Sequence, residues 1–128
     1  MNDVELDERD LARMLSLGRA LLGTVAWIAP RRFARLWTGT ADTASAAVPI
    51  ATRGLAARDI ALGLGTLMAL EGDGPVRRWL EAQALADASD AASTLMAFGE
   101  MRGIRRWLAL ATASSSCYLA LHLADSID

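Results

Sequence analysis

The chain has 128 residues, 53% of them apolar and 22% charged, with a formal net charge of −2. That is the length of one domain, and residues 1–128 are read as a single four-helix unit. All 13 basic residues are arginines and they form no long basic run, so a nucleic-acid binder is not the first expectation. One cysteine (Cys117) and one histidine (His122) exclude an intrachain disulfide, a cysteine-cluster metal site and paired-histidine metal motifs. Neither a metal nor a cofactor is expected.

Residues 1–10 carry Asp3, Glu5, Asp7, Glu8 and Asp10 against Arg9. A secretory signal begins with basic residues, so the sign is wrong for a cleavable leader. The stretch reads as an acidic arm running into the first turn of a helix.

A first long helix is expected from Leu11 to Ala29, stopped by Pro30. In the next segment, Arg31-Arg32-Phe33-Ala34-Arg35-Leu36-Trp37, helical spacing puts Phe33, Leu36 and Trp37 on one face and the arginines opposite. That is the pattern of a short helix lying in a headgroup layer. It also fits a plain amphipathic helix on a soluble protein. Ala41 to Val48 is a connector rich in small residues, and Pro49 marks the start of a second long helix ending at Leu70. Gly72-Asp73-Gly74 precedes Pro75, placed as the first residue of a third. Gly99 and Gly103 bracket the turn into a fourth, Ile104 to Ala124. Alanine and leucine dominate and no segment alternates like a strand, so the fold class is all-α.

The charges decide which way this fold faces. Trp107 to Leu121 is uncharged for fifteen residues, about 22 Å of helix. Ala20 to Pro30 and Ile60 to Leu70 are also uncharged, and most arginines collect at segment ends. Trp27, Trp37, Trp79 and Trp107 lie near those ends too, where the aromatic belts of a membrane protein would be. The expectation is a bundle in the bacterial cytoplasmic membrane, with lipid as its first partner. A soluble bundle that buries its apolar faces by homo-oligomerisation is the competing reading. Arg31, Arg32, Arg35, Arg102, Arg105 and Arg106 outnumber Arg9, Arg13, Arg77 and Arg78. The positive-inside rule therefore tilts both termini away from the cytoplasm. A faint repeat puts Arg-Arg-Trp-Leu at 77–80 and again at 105–108, at the starts of the third and fourth long helices.

The exceptions to the apolar pattern are concentrated at mid-helix. Arg19 lies in the first long helix, Arg58 and Asp59 in the second, Asp87 and Asp90 in the third. Gln83, Asp87, Asp90 and Thr94 are spaced by four, three and four, one helical stripe. An ionised aspartate at the bilayer centre costs about 2.5–3.5 kcal/mol, while a leucine or phenylalanine returns about 0.3–0.6. Two aspartates at about 5–7 kcal/mol need cationic partners, protonation or a watery cavity. Arg19 and Arg58 are the central cations, and they are expected to pair with Asp59, Asp87 and Asp90. Arg19-Ala20-Leu21-Leu22-Gly23 and Asp59-Ile60-Ala61-Leu62-Gly63 each place a glycine four residues after a charge, which permits close helix approach on that face.

Two functions follow. Asp87 and Asp90 as acid and base, tuned by Asp59, Arg58 and Arg19, would suit isomerisation, cyclisation or epoxide opening of an apolar small molecule. Gln83, Thr94, Ser115 and Tyr118 would bind that substrate in a pocket reaching the aspartates. Alternatively, the pairs fix helix register in a non-catalytic membrane module, a ligand binder, ion conduit or subunit of a larger complex. In the fourth long helix Ser115, Tyr118 and His122 align at spacings of three and four. His122 reads as an interfacial residue and Cys117 as a small buried filler.

At Arg58-Asp59-Ile60-Ala61-Leu62-Gly63, with Asp87-x-x-Asp90 and Gly18-Arg19, the chain resembles small four-helix bacterial integral-membrane proteins of unknown function. The resemblance implies an all-helical membrane fold over the first three long helices and carries no activity with it.

Overall fold

The computed structural model describes residues 7–40 and 42–127, and among these no residue is in a strand. Five helices follow one another: α1 (Glu8–Ile28), α2 (Pro30–Thr38), α3 (Ala47–Glu71), α4 (Val76–Met96) and α5 (Arg105–Ser126). The four long segments expected from the sequence are α1, α3, α4 and α5, and the amphipathic one is α2. Proline chemistry sets the boundaries. Pro30 opens α2 directly after α1 breaks at Ala29, and Pro49 falls in the first turn of α3. Pro75 stands one place outside α4 instead of opening it, because the helix begins at Val76. Of the expected acidic arm, residues 1–6 lie outside the described residues. Glu8 and Asp10 occupy the first turn of α1, where the helix dipole favours negative charge.

The long helices alternate in direction and neighbour one another in the order α1, α3, α4, α5, with α5 touching α1 again. The most extensive interfaces are α1 with α3 and α4 with α5. The first of these depends on glycine. A Cβ at Gly63 would stand 2.5 Å from the Ser16 carbonyl oxygen, and one at Gly23 would stand 2.9 Å from the Ala56 carbonyl oxygen. Both helices thus approach at the glycines that follow Arg19 and Asp59 by four residues, which draws those two charges toward each other.

What is buried is small or polar. The interior holds alanines 12, 20, 26, 56, 109, 113 and 120, and the largest fully buried side chains are Leu80, Leu123, Gln83, Thr66 and Ser16. One apolar cluster joins Ala12, Leu70, Val76, Leu80 and Leu123 near the end where α4 begins. Large apolar side chains point outward instead, among them Leu21, Leu22, Ile28, Met68, Leu85 and Leu108. Water-soluble proteins bury such residues and expose charge, so the distribution is inverted. Among the described residues two helices, α1 and α5, are long and apolar enough to cross a membrane, and a third or less of each apolar stretch is buried.

The repeated Arg-Arg-Trp-Leu shows how little a tetrapeptide fixes by itself. At the start of α4, Trp79 lies over Gly65 and Leu80 is fully enclosed. At the start of α5, Leu108 is exposed and Trp107, also exposed, meets Phe98 edge-on at 4.8 Å.

Candidate functional site

Arg19 lies halfway along α1, one turn before Gly23, and its side chain is only 7% exposed. Its three nitrogens reach the other three long helices. Nε donates to Gln83 Oε1 at 3.1 Å, and Nη1 donates to Asp59 Oδ1 at 3.1 Å. Nη2 donates to Asp87 Oδ2 and to Ser116 Oγ, the latter at 3.3 Å. One guanidinium therefore joins α1, α3, α4 and α5 at a single level.

The network continues in both directions from Arg19. On one side Gln83 Nε2 donates to Ser16 Oγ at 3.0 Å and to Thr66 Oγ1 at 2.6 Å. Thr66 passes its own proton to the Leu62 carbonyl at 2.9 Å, so the end of the chain is satisfied within α3. On the other side Asp59 Oδ1 is shared between Arg19 and Arg58, whose Nη2 donates to it at 2.9 Å. Arg58 then holds Asp90 with two parallel bonds, Nη1 to Oδ1 at 2.9 Å and Nη2 to Oδ2 at 2.7 Å. Such fork-to-fork pairing is the strongest geometry available to these groups. Ser116 Oγ donates to Asp87 Oδ2 at 2.7 Å, which gives that carboxylate a second partner.

The five expected ionisable residues, Arg19, Arg58, Asp59, Asp87 and Asp90, are thus brought together, and Gln83 with them. Three carboxylates face two guanidiniums, so the fully ionised cluster carries one surplus negative charge. Burial is graded along it: Arg19 and Asp87 are 7% exposed, whereas Asp59, Arg58 and Asp90 are 27–28% exposed. Every bond to Asp59 falls on its Oδ1 and every bond to Asp87 on its Oδ2, so each keeps one oxygen without a hydrogen bond. Among the described residues the one buried side-chain nitrogen or oxygen lacking a partner is Arg106 Nε, far from the cluster at the start of α5.

The other expected contacts fall elsewhere. Thr94 is buried, but its hydroxyl donates to the Asp90 carbonyl at 2.8 Å, within its own helix. Ser115 is exposed, and Tyr118 is 73% exposed and stacked on His122 with ring centres 6.3 Å apart. Their stripe faces outward. Three other hydroxyls bond within the cluster instead: Ser16, Thr66 and Ser116. Alanine spacing would have found the last, since Ala109, Ala113, Ser116 and Ala120 form one small-residue stripe whose alanines are buried. Two shallow surface depressions have linings that include neither Asp87 nor Asp90. One, about 320 Å³, is lined by Trp27, Ala57, Ile60 and Ala61, and the other, about 450 Å³, lies beside Pro30. No family model, curated protein or solved structure matches this chain.

Proposed function

We propose that this chain is a small integral membrane protein, a transmembrane four-helix bundle with α2 in the headgroup layer, divided along its polar ladder into a fastening and a working half. Arg19, Asp87, Gln83 and their hydroxyl partners hold the four helices in register. Arg58, Asp59 and Asp90 receive a polar group of an apolar small molecule that arrives from the bilayer between α3 and α4. Outward-facing Leu, Ile and Met around an interior of Ala, Ser, Thr, Arg and Asp support the membrane assignment, because lipid solvates the former and cannot solvate the latter. The observation that carries the division is the fourfold difference in exposure between Asp87 and Asp90.

The chemistry suited to the working half is proton transfer. With three carboxylates against two guanidiniums, the cluster has a carboxylate beyond those its cations balance, to serve as acid beside a neighbouring base. Isomerisation, cyclisation or epoxide opening of an apolar substrate uses that combination. The pairing of both arginines with carboxylates on other helices favours a second reading, in which the whole ladder is a fastening device in a non-catalytic module.

Dicyclohexylcarbodiimide, an apolar reagent that modifies protonated carboxyls, separates the two. Membranes containing the protein are treated at mildly acidic pH and the adducts are mapped by peptide mass spectrometry. Labelling of Asp90 or Asp59 with Asp87 unmodified supports a working half. A protein with all three aspartates unmodified contradicts it and leaves the fastening role.

A further inference from the structure

The two ends of the molecule differ in charge. Where α1 ends and α5 begins, Arg31, Arg32, Arg35, Arg53, Arg102, Arg105 and Arg106 gather against Asp42 and Glu100. Contacts tie this end together: Arg53 Nε donates to the Trp27 carbonyl at 3.1 Å, and Arg105 Nη1 donates to the Arg35 carbonyl at 2.8 Å. At the opposite end four arginines face seven carboxylates among the described residues. Arg53, which lies inside α3 in the sequence, joins the basic end only through the fold.

Within that end lies the depression of about 450 Å³. Ile28, Pro30 and Pro49 give it an apolar floor, and Arg31, Arg32 and Arg53 stand around it. The first residues of α2, Pro30 to Arg32, border the same place. That N-terminus has no side-chain cap and no acidic residue in its first turn, so its positive dipole is uncompensated. Arg31 Nη1 is occupied by the carbonyls of Thr43 and Ser45. Arg32 is exposed and makes no ion pair among the described residues. Positive charge around an apolar floor, beside the outward-facing Ile28 and Ile50, matches an amphiphile with an anionic head.

We propose that this groove seats the phosphodiester of an anionic phospholipid, with its acyl chains running along Ile28 and Ile50. The proposal rests on the membrane assignment. It also makes the basic end the cytoplasmic one, in line with the positive-inside rule. The apolar floor is the reason for choosing a lipid over a free phosphate ion, which would gain nothing from it.

The test uses full-length protein purified in dodecyl maltoside. Short-chain phosphatidylglycerol, phosphatidylcholine of the same chain length, or inorganic phosphate is titrated in. Lipid-bound species are counted by native mass spectrometry and the unfolding midpoint is followed alongside. Phosphatidylglycerol is expected to bind and raise the midpoint, with phosphatidylcholine at least about tenfold weaker and phosphate without effect. Arg32→Gln and Arg53→Gln should each weaken binding about fivefold, and Arg78→Gln at the opposite end should leave it unchanged. Arg32→Gln carries the result if Arg53→Gln loosens the contact with Trp27. Equal binding of the two lipids, equal loss in Arg78→Gln, or phosphate matching phosphatidylglycerol overturns the proposal. Alkaline washing of cell membranes reports on the assignment beneath it: a chain released to the supernatant contradicts membrane insertion whatever the lipid titration gives.

Discussion

The Arg19–Asp87 half of the ladder and the Arg58–Asp90 half use the same two residue types and differ in what surrounds them. Arg19 has partners on three other helices and almost no exposed surface, with hydroxyls from α3 and α5 completing the network. Arg58 reaches its neighbour Asp59 and one carboxylate across the α3–α4 seam, with about a quarter of each side chain exposed. An ion pair is a fastener when its removal strands charge in the interior. It becomes a reaction centre only when something can reach it. Position relative to the surface, more than residue identity, separates the two halves.

The largest expected effect tests the sealed half. Arg19→Leu strands Asp87 and Gln83 without their cation, and loss of one partner of a buried pair typically costs about 3–5 kcal/mol. Unfolding in mixed detergent should register that loss. A variant as stable as the wild type would remove the fastening role. Close helix approach is tested next by Gly63→Ala. Its new methyl group meets the Ser16 carbonyl and should destabilise by about 1–3 kcal/mol, whereas Gly18→Ala, with open space around it inside α1, should stabilise by about 0.5–1 kcal/mol. At the partly exposed half, Asp90→Asn is expected to cost only about 1–2 kcal/mol, because Asp59 stays paired with Arg58 and the asparagine still offers it a hydrogen-bond acceptor. A loss as large as that of Arg19→Leu would erase the contrast between the halves. The smallest effects sharpen it. Ser116→Ala should cost about 1 kcal/mol by removing one bond to Asp87, and Ser115→Ala should stay within about 0.5 kcal/mol.

Much of this arrangement is legible before folding. Mid-helix charge at Arg19, Arg58, Asp59, Asp87 and Asp90 has to converge, because isolated ions in an apolar stretch are too costly. The glycines at 23 and 63 reveal which faces of α1 and α3 meet. Helix phase is what stays hidden. Ser114, Ser115 and Ser116 differ by one step of rotation each, and only the buried alanine stripe of α5 selects Ser116 over Ser115. Spacing also places polar groups on one face without saying whether they enclose space or one another. Here Gln83 and Ser116 bond directly to the Arg19–Asp87 pair. Arg53, whose part in the basic end comes from the turn-back of α3 against Trp27, is likewise invisible in the linear sequence.

The inside-out arrangement on which both halves depend is open to one direct measurement. In a Cys117→Ser background, nitroxide labels at Leu85→Cys on α4 and Leu21→Cys on α1 report their surroundings in reconstituted bilayers by electron paramagnetic resonance. Collisions with oxygen exceeding those with a water-soluble nickel chelate at both sites are expected of side chains in lipid. The reverse order at either site, marking a surface bathed in water, would contradict the membrane assignment and with it the division of the ladder.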